Sequence, residues 1–254
     1  MTRIKAAAIH LSISFFIVAI AITYMLLVWY PNGYFLIMGG IKLIIILACV
    51  DVVVGPLLTF VVFNLQKKSL RFDLACIAVV QIAALVYGSY VIFESRPTFT
   101  AFNKDKFQIS AVVDIAPEEL AKAKNPKWKS YSITGPELVA IGTPDKSDRA
   151  ETMFAMMESD SANRYPRLYV EYSKHIDEVI KAAKPLEKLS ENNPENKKTV
   201  SAFIKAINRP QSDFLYLPIS SELAEMSAIV DAKTGDFIQI IDAKQEGKKA
   251  VTRP

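Results

Sequence analysis

The hydrophobic positions of this chain are gathered at one end. Three long apolar runs, roughly Ala6 to Tyr30, Phe35 to Leu65 and Leu74 to Phe93, precede residue 96, and no comparable run follows it. Each reaches the ~20 residues that a helix rising ~1.5 Å per residue needs to cross a ~30 Å hydrocarbon core. The pattern predicts three transmembrane helices, at about 6–30, 36–65 and 74–94. The second run is too long for one upright span, so it should tilt or start as an interfacial turn that breaks at Gly39-Gly40. With Lys42 snorkelling to the headgroups, its buried stretch is about 43 to 63.

Beyond residue 96 the pattern changes to short mixed elements. Phe107 to Ile115, Arg167 to Tyr172 and Phe214 to Ile219 read as strands, and Glu118 to Lys124, Ile176 to Lys184 and Lys197 to Ile207 as helices. Ser147 to Ser159, with Met153, Phe154, Met156 and Met157, has the spacing of an amphipathic helix whose methionines belong to a core. Met226 to Asp242 holds two β-rich runs around Lys233-Thr234-Gly235-Asp236, which predicts a terminal hairpin. The expectation is a membrane-anchored α+β protein: a three-helix transmembrane domain over 1–96 and a mixed domain with antiparallel strands over 97–254.

Charge orients the helices. Arg3 and Lys5 precede the first run, and Lys67, Lys68 and Arg71 fill the loop between the second and third, whereas the loop after Tyr30 has no basic residue. The positive-inside rule puts the N-terminus and the 66–73 loop in the cytoplasm and everything after Phe93 outside. Trp29, Tyr30, Tyr34 and Phe35 then form an aromatic belt at the outer interface, with Trp29, Tyr30, Lys42, Lys67, Lys68 and Arg71 as membrane anchors. The first run is longer than a signal-peptide core and ends in Val28-Trp29-Tyr30-Pro31, not in small residues, so it reads as a retained anchor.

Residues 1–96 carry seven basic and three acidic side chains, and the rest of the chain carries 23 of each. The net charge of +4 therefore belongs to the membrane half, and nothing argues for nucleic-acid binding. Both cysteines, Cys49 and Cys76, fall in the apolar runs, so the outer domain is expected to hold its core without disulfides. The two histidines, His10 and His175, cannot build a His/Cys metal cluster outside the membrane. Phosphate-binding glycine loops and nucleophile elbows are absent. Nothing marks out an active site, and no cofactor is expected. His175 reads as a residue at a helix start.

The anomaly is Asp51, which lies mid-membrane in Val50-Asp-Val-Val-Val-Gly-Pro-Leu-Leu-Thr59. A carboxyl there is costly unless it faces other helices or stays protonated. Tyr87 falls at similar depth on the antiparallel third run and is the expected hydrogen-bond donor to it. Pro56 removes the bond to the Val52 carbonyl and kinks the helix. Asp51, Gly55, Pro56, Tyr87 and Gln81 are thus candidate contacts, either locking the bundle or receiving a helix of another protein. A proton path is a third use, although three spans with one acid make a poor relay. Gln81 and His10 sit nearer the cytoplasmic side.

These residues also carry a resemblance. Ile9-His-Leu-Ser-Ile-Ser14, Val28-Trp-Tyr-Pro31, the Asp51 to Thr59 block, Lys67-Lys-Ser-Leu-Arg-Phe-Asp-Leu74, Gln81, Tyr87-Gly88, Arg96-Pro97 and Phe102-Asn103 resemble the type IV pilin accessory protein family. Arg167-Leu-Tyr169, Phe214-Leu-Tyr-Leu-Pro218 and Ile229 to Gly235 continue the likeness, while Gly247 to Pro254 departs from the family's usual short ending.

The resemblance implies a bacterial inner-membrane protein with a periplasmic domain that helps to assemble or display one major pilin. Its implied partners are that pilin, other inner-membrane pilus machinery and the lipid bilayer. It supplies no catalytic residues. Two alternatives remain beside this: a negative modulator that holds pilin back, and a partner of a membrane enzyme that modifies pilin. The second would call for charged clusters at the outer interface, where only Glu94, Arg96, Lys104 and Asp105 lie. A pilin-like subunit would need a cleavable leader ending in Gly before Phe and an early Glu.

Overall fold

The computed structural model describes residues 2–144, 162–191 and 193–244. The helix expected at 147–159 and the tail 247–254 lie outside them. Two compact units emerge, Met1–Trp29 with Gly39–Glu94 and Tyr30–Met38 with Ser95–Pro254. The division is not a single cut, because Tyr30–Met38, which the linear pattern assigns to the facing ends of two expected spans and the loop joining them, belongs with the later residues.

The first unit is helical. Helix α1 (Arg3–Tyr24) starts at Thr2, whose hydroxyl accepts from Lys5 N–H at 3.3 Å, and widens into a π-helical turn over Met25–Trp29. After the short helix α2 (Tyr34–Ile37), which belongs to the second unit, helix α3 (Gly40–Ala48) runs into a π-helical segment, Cys49–Val54, and then helix α4 (Gly55–Val62). Helix α5 (Leu70–Glu94) completes the unit. The π segment has a local cause. Pro56 has no N–H to give to Val52, and the Gly55 N–H reaches back five residues to the Val50 carbonyl.

Two helices are long and apolar enough to cross a membrane, Arg3–Trp29 and Leu70–Glu94. The three transmembrane helices expected from the sequence are therefore not all found as helices of membrane length. The second run is broken by the turn at Met38-Gly39, where Gly39 takes a left-handed φ of 69°, and by the π segment, leaving Cys49–Val62 as a shorter apolar helix.

The second unit is an α+β fold on one mixed eight-stranded sheet. Its strands are β1 (Pro97–Asn103), β2 (Lys106–Ala111), β3 (Glu137–Ile141), β4 (Tyr169–Glu171), β5 (Lys184–Pro185), β6 (Phe214–Ser220), β7 (Glu225–Asp231) and β8 (Phe237–Ile241). The order is β4-β3-β1-β2-β6-β7-β8, with β5 paired to β6. The β1–β3 and β2–β6 pairs are parallel, and the others are antiparallel. The terminal hairpin is β7–β8. The strand expected over Phe107 to Ile115 stops at Ala111 and turns at Val112–Asp114, where the Asp114 carboxylate accepts from Ala111 N–H at 2.7 Å.

Directly paired residues share a face of a sheet, so the register sorts the core. One face carries Phe99, Ala101 and Val139 under Leu120, Ala123 and Trp128, and Phe214, Tyr216 and Ile229 under Leu186, Leu189, Val200 and Phe203. Leu120 comes from helix α6 (Pro117–Ala121), Ala123 from just beyond its end and Trp128 from the 3-10 turn Pro126–Trp128, while Leu186 and Leu189 come from α8 (Leu186–Ser190) and Val200 and Phe203 from α9 (Pro194–Ile207), with α7 (Ile176–Ala182) before β5. Helix α9 begins at Asn193, whose side chain accepts from Glu195 and Asn196 N–H, and ends at Asn208 in a left-handed conformation. The opposite face presents Thr100, Phe102, Phe107 and Ile240, all fully buried or nearly so. A segment from early in the chain covers it.

Candidate functional site

That segment is Tyr30–Met38. Gly33 turns it with φ 88°, and a Cβ there would collide with the backbone oxygen of Ile240. The Asn32 carbonyl accepts from Ile240 N–H on the edge strand β8 at 2.9 Å. Tyr34 follows: its ring stacks on Phe237 at 5.9 Å, and its hydroxyl shares a 2.7 Å hydrogen bond with the Thr100 hydroxyl. Burial raises the Tyr34 hydroxyl above its ordinary pKa, with the Thr100 bond opposing. Ile37 is wholly enclosed, and its carbonyl accepts from the Ser221 hydroxyl at 2.7 Å. Tyr30 is 2% exposed. Tyr30 and Tyr34, expected in a lipid-facing aromatic belt, are instead core residues of the second unit. Their spacing fitted an interfacial belt equally well, and only tertiary contact tells the two apart.

The polar candidates of the first unit lie inside it. Asp51 is 5% exposed and Thr59 3% exposed, with Gly55 and Pro56 buried beside them. His10 Nδ1 and Thr59 Oγ1 are 2.5 Å apart, joining α1 to α4. The Gln81 side-chain amide donates to the Asp51 backbone carbonyl at 3.2 Å, joining α5 to the π segment. Gly55 makes room for this, since a Cβ on it would overlap the Gln81 amide. Among the described residues, Asp51 Oδ2 is buried with no hydrogen-bond partner. Residues at four-residue spacing, Ala6, His10, Ser14 and Val18, line the inward side of α1, three of them small or polar, and His10 meets Thr59 of α4 there. This is how helices pack closely where water gives no hydrophobic drive.

Tyr87 does not fit the pairing expected of it. It is 70% exposed and makes no bond to Asp51. Matching depth was right for an antiparallel helix but said nothing of rotation about its axis, and the helix turns Gln81 inward instead. Asp51 itself faces the interior, so it does not present its carboxyl to an approaching helix. Of the remaining candidates, Lys42, Lys68 and Arg71 are exposed, and Lys67 pairs with Asp73 at 2.6 Å. Trp29 packs edge-on against Tyr24 and Phe93, at 5.4 and 5.2 Å.

Between α1 and α5 runs a cleft of about 330 Å³, to which no pattern of residues pointed, lined by Ile17, Ile20, Tyr24, Trp29, Ser89 and Ile92. The Trp29 indole N–H beside it is buried without a partner among the described residues. In the second unit, no group of three or more His, Cys, Asp or Glu among the described residues is placed to hold a metal. His175 starts α7 and lies 3.2 Å from Glu178.

Comparison with known proteins agrees with the motif-level resemblance. Residues 1–39 match the family model described as fimbrial assembly protein FimB. A fimbrial assembly protein of serogroup E1 from Dichelobacter nodosus is 32% identical over 233 residues, covering 89% of this chain and 90% of the relative. The serogroup I protein of the same organism matches with the same identity and coverage. The protein of serogroups C1 and C2 is 37% identical over 121 residues, 47% of this chain and 92% of the relative. No solved structure matches the chain. On the strength of near full-length identity above 30%, the chain belongs to the fimbrial assembly protein family.

Proposed function

We propose that this chain serves pilus biogenesis as an inner-membrane accessory protein that binds its cognate major pilin and promotes its assembly or surface display, catalysing no reaction itself. The names of its relatives, fimbrial assembly proteins, support the biological role. The observation that carries the membrane part is the inverted polarity of the helical unit. Asp51, Thr59 and Ser14 are inside, while Phe16, Ile20, Leu27, Val79, Val80 and Ile82 stand outside, each at least 62% exposed. A water-soluble bundle has the opposite arrangement.

Connectivity supports a topology for this reading. Tyr30–Met38 and the residues from Ser95 onward build one unit, so they share one side of the membrane. The chain between them must then cross an even number of times. If Leu70–Glu94 crosses in one direction, the abutting segments Gly40–Ala48, Cys49–Val54 and Gly55–Val62 cross in the other. With Arg3, Lys5, Lys67, Lys68 and Arg71 in the cytoplasm, the second unit is periplasmic.

A pilin with an apolar helix has no access to the interior Asp51, so its docking site in this reading is the cleft between α1 and α5. The test has two arms. Deleting the gene should lower surface pili at unchanged pilin transcript, with rescue by the wild type. A photo-crosslinking residue at Ile20, on the cleft, should capture the pilin, whereas one at Ile4 should not. More pili on deletion would replace promotion by restraint. No capture at Ile20 or Ile17 would remove the docking site.

A further inference from the structure

Among the described residues of the second unit, four large apolar side chains are more than a third exposed: Leu36, Val113, Ile133 and Leu223. Scattered apolar residues on a surface need no explanation. These are linked. The Ser221 hydroxyl donates to the Ile37 carbonyl at 2.7 Å, tying the loop of Leu223 to that of Leu36. Arg164 pairs with Glu222 at 2.7 Å, beside Leu223, and also acts electrostatically on Asp114, beside Val113. Val112 N–H donates to the Arg96 carbonyl at 3.1 Å, and Arg96 Nε donates to the Ser132 carbonyl at 3.0 Å, next to Ile133.

Two of these linked segments lead straight into the apolar helices. Tyr30 follows Trp29, and Ser95 follows Glu94. The four side chains are thus gathered at the end of the second unit where Tyr30 and Ser95 lie. The β1–β2 turn at Lys104-Asp105, a strand length of roughly 23 Å away at ~3.3 Å per residue, is exposed and charged.

We propose that Leu36, Val113, Ile133 and Leu223 form a rim that inserts into the headgroup region of the bilayer crossed by the chain's own helices. The occupant is lipid because the rim is continuous with the two entry points, and apolar tips carried on loops are what an interfacial contact uses.

The proposal rests on the membrane-anchored reading, and the experiment separates the two. Full-length protein with Cys49→Ala and Cys76→Ala is placed in nanodiscs of phosphatidylethanolamine and phosphatidylglycerol. Spin labels are attached singly at Val113→Cys, Ile133→Cys, Leu223→Cys, Asp105→Cys and Val80→Cys. Collision with oxygen, which concentrates in lipid, is compared with collision with a water-soluble nickel chelate. The three rim labels should shift toward oxygen relative to Asp105→Cys, as Val80→Cys does. Aqueous readings at the rim with a lipid reading at Val80→Cys overturn the rim alone. An aqueous reading at Val80→Cys overturns the membrane anchor and the rim with it. Rim labels that become protected only when purified pilin is added assign the surface to protein and overturn the lipid proposal.

Discussion

Tyr34 and Thr100 share a buried hydrogen bond of 2.7 Å across a sequence separation of 66 residues. The first belongs to a nine-residue segment between two apolar helices and the second to a central strand of the sheet. The bond therefore joins a segment from early in the chain to the completion of the later fold: the sheet cannot close its second face until Tyr30–Met38 has docked on it.

Removing only the hydroxyl, in Tyr34→Phe, leaves Thr100 buried with one partner fewer and should cost about 1 kcal/mol. Tyr34→Ala, which also vacates the ring's place on Phe237, should cost about 3–5 kcal/mol. Chemical unfolding of the detergent-solubilised protein measures both. Equal effects of the two substitutions would mean that the ring contributes nothing.

The same argument predicts that the excised domain is incomplete. A fragment starting at residue 95 lacks Tyr34 and Ile37 and exposes the face carrying Phe102, Phe107 and Ile240. It should be poorly soluble and protease-sensitive, and a synthetic peptide of residues 30–38 fused through a flexible linker to Ser95 should restore protection. A fragment as protected as the intact protein would refute this.

In the helical unit, the approach of Gly55 to Gln81 makes a pairwise prediction. Gly55→Ala places a methyl group where the Gln81 amide lies and should destabilise by about 1–3 kcal/mol. Gln81→Ala removes both the obstacle and the bond to the Asp51 carbonyl. In the double variant the cost of the methyl should largely vanish, so the two effects will not add. Additive costs in thermal denaturation would show that the two side chains do not meet.

Much of this was legible beforehand, and the losses are instructive. The terminal hairpin, the helix now running Pro194–Ile207 and the strand at Phe214 announced themselves through local turn chemistry and periodicity. Strand β1 did not, because Pro97–Asn103 is buried on both faces and shows no alternation. Asp51 stood out as a lone acid in an apolar run, but which neighbour turns toward it depends on helix rotation, and that is set by Gly55 and Gln81 packing. The role of Tyr34 was hidden because its neighbours in sequence all pointed to lipid.

In the second unit, Asp231 gives a pH dependence. Arg209 donates to its carboxylate at 2.8 Å, and the Lys233 and Thr234 N–H groups donate to its other oxygen, lowering its pKa to about 2. The unfolded chain titrates near ~3.9. Because the folded value is the lower one, the pair stabilises fully above about pH 4 and loses its contribution as pH falls toward about 2. The stability difference between wild type and Asp231→Asn, from urea unfolding, should accordingly shrink over that interval and stay flat from pH 5 to 7. A difference that grew on acidification would contradict the arrangement.

Asp51 supplies the last prediction. Its Oδ2 is buried without a partner, its backbone carbonyl rather than its side chain holds Gln81, and Tyr87 points away. A carboxyl so placed contributes shape and a polar group, not a contact surface, and an isolated charge there is costly. Asp51→Asn keeps both shape and polarity, so protein level and surface pili should remain at wild-type values. Asp51→Lys lengthens the side chain and adds a fixed cation that His10 cannot neutralise, so the protein should fall in level and pili with it. Immunoblotting of membranes beside counts of surface pili separates this from direct pilin contact, in which Asp51→Asn would lose pili while protein level held.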